Sequence, residues 1–265
     1  MKFDVDDSQA PGDKTESEAV PRNRRSETIS FQAAYGNERV IAHLYLPKNA
    51  VPPYQTVVLF PGANALLARS VEELWAGGGS IDFVMRSGRA LLLPAYKGTL
   101  ERGPSEYWHQ LGQPGRWTEM NLQWSKDLGR SIDYLETRKD IDTAKLAFAG
   151  VSLGAAMSPR LLAVEPRFKA ALLFSGGTFE KVQPEVDSWN FAPHVKTPLI
   201  MLNGKDDFRF VLETAQRPLF EAMGTPPKDK RFVLYEGGHD TVTRVDAIKE
   251  ALDWLDKYLG EVKAR

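Results

Sequence analysis

The chain has 265 residues, a length that α/β folds commonly fill as one unit around a single large core. Its 34 Lys and Arg against 35 Asp and Glu leave a net charge of −1, and no basic stripe with interleaved aromatics is present to neutralise a phosphate backbone, so nucleic acid is not expected as a partner. Cysteine is absent, which excludes disulfides, thiolate metal sites and a cysteine nucleophile together, without fixing the compartment.

In chain order, Met1 to Glu27 is rich in Asp, Glu, Ser, Lys and Arg and holds no apolar run long enough for a signal peptide or a membrane span. It reads as a polar leader, 1–27, disordered or loosely attached. A linker from a longer polypeptide and an arm docked on a neighbouring subunit are the other readings. The expected location is the cytoplasm, with no membrane span and with homo-oligomerisation left open.

From Thr28 to the end, 28–265, strand-like apolar runs alternate with longer helical patterns, the signature of a sheet covered on both faces. Thr28 to Ala34 and Val40 to Leu46 are expected to form a hairpin turned around Gly36-Asn37, followed by a buried strand from Thr56 to Phe60 that ends at Pro61-Gly62. A weak helix at Val71 to Trp75 and the run Gly77-Gly78-Gly79 precede a strand at Ala90 to Leu93. Leu128, Ile132 and Leu135 recur at helical spacing within Ser125 to Glu136, which leads into the strand Leu146 to Ala149. Beyond it come strands at Ala170 to Phe174 and Pro198 to Leu202, a helix at Leu212 to Met223, a last strand at Phe232 to Tyr235 and a closing amphipathic helix at Val245 to Leu259. No internal repeat is found.

The most informative segment is Gly150-Val151-Ser152-Leu153-Gly154, between the strand Leu146 to Ala149 and a run of small and helix-forming residues. This is the composition of a nucleophile elbow. The turn from strand to helix is so tight that side chains at the two glycines would clash, while the serine is held strained with its hydroxyl exposed. At average glycine and serine usage the bare pattern arises by accident in roughly one chain in ten of this length, and the strand before and helix after are what lift it above a plain surface turn.

With the elbow after the fifth of eight expected strands, the chain from residue 28 onward resembles the α/β-hydrolase fold, an eight-stranded mostly parallel sheet flanked by helices. Its details look most like the dienelactone hydrolase and prolyl-oligopeptidase-like branch, which includes esterases and acyl-peptidase catalytic domains. The resemblance implies a serine nucleophile, then an acid, then a histidine in chain order. A serine hydroxyl needs a base to take its proton during attack and a third group to orient the base. Of four histidines only His239 follows the last core strand, in the glycine-containing loop Glu236-Gly237-Gly238-His239-Asp240, and it is the expected base. His43 alternates with Ile41 and Tyr45 in a strand and reads as packed, His194 as structural or surface, and His109 as a group at the substrate entrance or a bystander.

For the acid, the strand ending at Leu202 runs into Asn203-Gly204-Lys205-Asp206-Asp207, two carboxylates of which one can face His239. Related hydrolases usually read Gly-x-x-Asp here, which matches Asp207 and leaves Asp206 as a solvated turn residue. Backbone N–H groups are the usual oxyanion stabilisers. Leu153, directly after the serine at a helix start, and Ala63, in Pro61-Gly62-Ala63-Asn64, are the expected donors. This last segment departs from the more familiar His-Gly-Gly.

Pro94-Ala95-Tyr96-Lys97-Gly98 stands where prolyl-oligopeptidase-like enzymes often carry Tyr-Arg-Gly, so Tyr96 is a candidate to border the acyl pocket, against a plain packing role. Tyr107, Trp108 and Trp117 lie in a Gly- and Pro-interrupted stretch, 101–118, too long and aromatic for a mere connector, and are candidates for an apolar substrate wall. Glu101-Arg102 is read either as a holder of a charged substrate end or as a solvated pair. Only about twenty residues separate Ser175 from Thr197, too few for a helical lid, so the cleft is expected to be open. Met157, Leu161 and Leu162 are expected in the core.

The expected activity is that of a cofactor-free serine carboxylesterase acting on small to medium esters with no metal, its rate falling in acid as the histidine takes a proton from solvent. The alternatives are an aminopeptidase or acyl-peptide hydrolase, for which the chain is too short to add a propeller, and a non-catalytic binding protein of the same fold.

Overall fold

The computed structural model describes residues 3–5, 24–76, 81–103, 113, 115–179 and 182–263. The β-rich runs assemble into one sheet from β1 (Phe3–Val5), β2 (Arg24–Gln32), β3 (Arg39–Pro47), β4 (Tyr54–Phe60), β5 (Ala90–Ala95), β6 (Ile141–Val151), β7 (Ala170–Phe174), β8 (Leu199–Gly204) and β9 (Lys230–Tyr235). Their spatial order is β1-β2-β3-β5-β4-β6-β7-β8-β9. Pairing is antiparallel from β1 through β3 to β5 and parallel from β5 through β9. From β2 onward these are the eight strands read in the sequence, with the elbow after the fifth.

The parallel strands are apolar on both faces because both are covered. In β4, Val58 and Phe60 enter one core cluster while Val57 and Leu59 enter the other, all essentially without solvent exposure. Helices α1 (Val71–Ala76), α2 (Phe83–Arg86), α3 (Arg116–Glu136), α4 (Leu153–Val164), α5 (Ser188–Phe191), α6 (Arg217–Ala222) and α7 (Val245–Leu259) divide between the two faces. Trp124, Leu128 and Ile132 of α3 pack with Met157, Leu161 and Leu162 of α4 on the first face. Leu74 of α1, Val84 of α2 and Ala251 and Leu255 of α7 cover the second. Among the described residues no helix is long and apolar enough to cross a membrane.

Three expectations need correction. The boundary drawn between residues 27 and 28 falls inside β2, and Phe3–Val5 of the expected leader pairs antiparallel with β2 at Phe31, Ser30 and Ile29. Hydropathy hid the start of β2 because its charges are satisfied locally: Glu27 accepts from Arg138 at 2.5 Å, and Arg25 pairs with Glu27 at 2.6 Å. Helix α3 begins at Arg116 and not at Ser125, so Trp117 is a first-turn helical residue, preceded by Gly115 with φ 80°. The helix expected over Leu212 to Met223 opens with a wide π turn, Leu212–Gln216, before α6. Pro218, which lacks an N–H and crowds the preceding turn, stands where the two meet.

A buried ionic cluster ties the segment after β5 to α3. Asp127, with a fully buried side chain, accepts from Arg102 Nη1 at 2.6 Å, Tyr35 Oη at 2.8 Å and the Lys97 N–H at 2.9 Å. Burial pushes its carboxyl above the usual range despite the Arg102 guanidinium beside it. Asp127→Ala is expected to destabilise the protein by about 3–5 kcal/mol, because the Arg102 charge, with only 6% of its side chain exposed, would lose its 2.6 Å buried partner and keep only the half-exposed Glu38 at 3.6 Å. A denaturant titration measures this as a fall in midpoint.

Candidate active site

Ser152 lies between β6 and α4 at φ 50°, ψ −105°, a conformation that costs a non-glycine residue of order 1–3 kcal/mol. Tight packing imposes it. A Cβ on Gly154 would stand 2.1 Å from the carbonyl oxygen of Phe60, so β4 and the first turn of α4 approach as only glycine allows. The Ser152 N–H donates to the Phe174 carbonyl of β7 at 2.8 Å, which anchors the turn to the sheet.

Two loops from the same sheet edge converge on this serine. His239, in the loop after β9, places Nε2 2.8 Å from Ser152 Oγ and Nδ1 2.7 Å from Asp207 Oδ2. Asp207 follows β8, and its other oxygen accepts the N–H groups of Arg209 and Phe210 at 2.8 and 3.1 Å. The two loops are stitched by backbone: a Cβ on Gly204 would lie 2.0 Å from the Gly238 oxygen, and the Asp206 N–H donates to Gly237 at 3.0 Å. Of the two candidate acids the structure brings Asp207 to the histidine and leaves Asp206 exposed.

Burial alone would raise the Asp207 carboxyl, but the His239 hydrogen bond and the two backbone N–H groups outweigh it and hold the group below the usual carboxylate range. A depressed folded-state pKa contributes stability above the unfolded value, about 3.9, and loses it as pH falls through the folded value. The melting temperature of wild type is therefore expected to fall more steeply below about pH 4 than that of Asp207→Asn, a comparison made by thermal unfolding across a pH series.

Both expected oxyanion donors open helical turns, where N–H groups have no partner inside the helix. Leu153 is the first residue of α4, and Ala63 the first of a 3₁₀ turn, Ala63–Leu66. Gly62, just before it, is packed so that a Cβ would come within 3.7 Å of Ser152 Cβ, which sets this turn beside the serine.

An arc of aromatic rings runs from the histidine to the strand before that turn. Phe210 stands 6.0 Å from the His239 ring, Phe179 5.4 Å from Phe210, Trp117 5.9 Å from Phe179, Trp124 5.7 Å from Trp117 and Phe60 5.3 Å from Trp124. Trp117 and Phe179 are only partly buried. Sequence reasoning missed Phe179 and Phe210, which sit in loops without a period to mark them.

The remaining candidates fall away from the serine or outside the described residues. Tyr96 is fully buried, stacked on Phe60 at 4.1 Å with its hydroxyl donating to Leu59 O, and so packs the strand instead of bordering an open pocket. Tyr107, Trp108 and His109 lie outside the described residues. His43 pairs through Nε2 with Glu101 at 3.1 Å, and His194 is exposed. Glu101 and Arg102 part company: Glu101 is exposed and faces His43, while the Arg102 side chain is buried against Asp127, Tyr35 and Glu38.

An aligned hydroxyl, imidazole and carboxylate at these distances can pass the hydroxyl proton to the imidazole as the oxygen attacks a carbonyl. The family model of dienelactone hydrolases matches residues 86–250, more than half of the chain and the part that holds all three groups. The chain belongs to the dienelactone hydrolase family. A sequence search among curated proteins returns no match.

Solved structures place this hydrolase in the α/β-hydrolase fold. A cold-adapted esterase from an Arctic intertidal metagenomic library, solved with bound PEG, aligns with TM-score 0.67 and 19% identity over 91% of this chain and 96% of its own. Acetyl xylan esterase 1 from Thermoanaerobacterium sp. JW/SL YS485 aligns with TM-score 0.67 and 13% identity over 92% and 86%. The acylaminoacyl peptidase of Pyrococcus horikoshii aligns with TM-score 0.67 and 13% identity, and this chain spans 42% of its length. At such identities the likeness is one of fold.

Proposed function

We propose that this dienelactone-hydrolase family member is a serine carboxylesterase for small to medium esters. One observation carries the reading: Ser152 Oγ, His239 and Asp207 lie in a single hydrogen-bonded line with links of 2.8 and 2.7 Å. His239 takes the proton as Ser152 Oγ adds to the ester carbonyl. The Leu153 and Ala63 N–H groups face the oxyanion, each such donor lowering the barrier by on the order of 3 kcal/mol. The alcohol leaves with the proton from His239, and the same imidazole then activates the water that releases the acid. Trp117 and Phe179, the accessible members of the aromatic arc, suit an apolar acyl or alcohol group.

The esterases among the fold relatives favour ester over amide, and the acylaminoacyl peptidase keeps the peptidase reading as the competitor. The test is hydrolysis of p-nitrophenyl esters from acetate to palmitate beside an alanyl p-nitroanilide, with labelling of Ser152 by a fluorophosphonate. Short- to medium-chain ester turnover and labelling are expected. Faster turnover of the anilide would move the assignment to a peptidase, and absence of both turnover and label would sink the serine mechanism.

A further inference from the structure

Behind the histidine loop lies a pair of buried hydroxyls that the reaction itself does not use. Ser175, the residue after β7, is 2% exposed and held at φ 53°, a conformation that a serine adopts only under constraint. Its N–H donates to Leu202 O of β8 at 3.0 Å, and its hydroxyl donates to the carbonyl oxygen of His239. Thr241, 1% exposed, sits 2.8 Å from Ser175 Oγ through its own hydroxyl, which also reaches Leu202 O at 2.7 Å. The Thr241 N–H donates to His239 O at 3.1 Å and lies 3.4 Å from Ser175 Oγ. Two hydroxyl protons are thus shared over three contacts: Ser175 Oγ with His239 O, Thr241 Oγ1 with Leu202 O, and the two hydroxyls with each other.

We propose that Ser175 and Thr241 are positioning residues that lock the main chain at His239 to the ends of β7 and β8. The inference rests on His239 being the base. The loop carrying it is exposed from Glu236 through Gly238 and includes Gly237 at φ 109°, and its backbone ties to the Asp207 loop, at Gly237 and Gly238, stop short of His239 itself. A base that takes and returns a proton must keep its ring in line with both Ser152 and Asp207, and a displacement near 1 Å costs on the order of 10²-fold in rate. The carbonyl of His239 is a point at which its backbone is held, and two buried groups, the Ser175 hydroxyl and the Thr241 N–H, converge there.

The left-handed backbone at Ser175 provides the decisive variant. Ser175→Gly relieves the backbone and removes the hydroxymethyl group, and with it the hydroxyl. If the conformation alone mattered, it would behave as wild type. We expect Ser175→Gly and Thr241→Val each to lower kcat for a p-nitrophenyl ester by about tenfold to a hundredfold with KM within about twofold, and Thr241→Ser to recover most of the rate lost in Thr241→Val.

The low-field proton resonance of the His239–Asp207 hydrogen bond is read in parallel, in the Ser152-bearing enzyme and in Ser152→Ala. It is expected to broaden or move in Ser175→Gly and Thr241→Val. Unchanged kcat, a loss confined to KM, or reduced kcat with an unaltered resonance would each overturn the proposal. Full activity in Ser152→Ala would instead overturn the catalytic reading beneath it.

Discussion

Ser152→Ala is expected to lower kcat/KM by on the order of 10⁵-fold or more, the scale set by removing the nucleophile of a serine–histidine–acid machine. The argument is geometric. Ser152 Oγ is the atom that His239 Nε2 addresses, and no other described side chain is hydrogen-bonded to that nitrogen. The same position carries a stability expectation of opposite sign. Ser152 holds φ 50° because Gly154 brings α4 against Phe60, so alanine inherits the strain and glycine sheds it. Ser152→Gly is expected to be inactive yet more stable than Ser152→Ala by about 1 kcal/mol, or roughly 2–4 °C in Tm for a chain of this size. Steady-state kinetics with a short p-nitrophenyl ester and thermal unfolding of the three proteins measure both. A glycine variant less stable than the alanine variant would show that the backbone there is not strained.

Asp207→Asn is expected to lower kcat by about 10⁴-fold while Asp206→Asn stays within about twofold. An amide at 207 can still meet the imidazole, but its NH₂ favours the tautomer with the proton on Nε2, which then points a hydrogen at Ser152 and has no lone pair to accept one. The side chain of Asp207 is fully buried and receives two backbone N–H groups, so the turn itself should survive the substitution. Asp206 is exposed and contributes its backbone N–H to Gly237, a bond that the asparagine variant keeps. Kinetics of the two variants over a pH series decide the point. Comparable losses in both would mean that the carboxylate facing His239 in this structure is not the one that orients it in the reaction.

What could be read along the chain follows a physical division. A strand buried on both faces announces itself as an apolar run and an amphipathic helix by its 3.6-residue period, so Ala170 to Phe174 and Val245 to Leu259 were legible to the residue. The start of β2 was not, because Arg25 and Glu27 are charged on an edge where Arg138 and Asp140 satisfy them. The start of α3 was obscured by Gln113-Pro114-Gly115, whose composition signals a loop although Trp117, Met120 and Trp124 continue the helical spacing. Glu101 and Arg102 looked solvated for the opposite reason: a charged pair gives no sign in sequence that its partners, His43, Asp127 and Tyr35, lie far away in the chain.

By itself the sequence determined the sheet-and-helix plan and the tight turn that holds Ser152 between Gly150 and Gly154, since each is a local pattern with a local physical cause, while the order of serine, acid and histidine followed from the family resemblance. Only the tertiary structure set Asp207 against His239 Nδ1, withdrew Tyr96 from the cleft, closed the aromatic arc from Phe210 to Phe60 and set Ser175 behind His239. Those are decisions about which of several chemically competent groups meet across long separations. They depend on the register of β7, β8 and β9 at one sheet edge, and no spacing within a single segment encodes it.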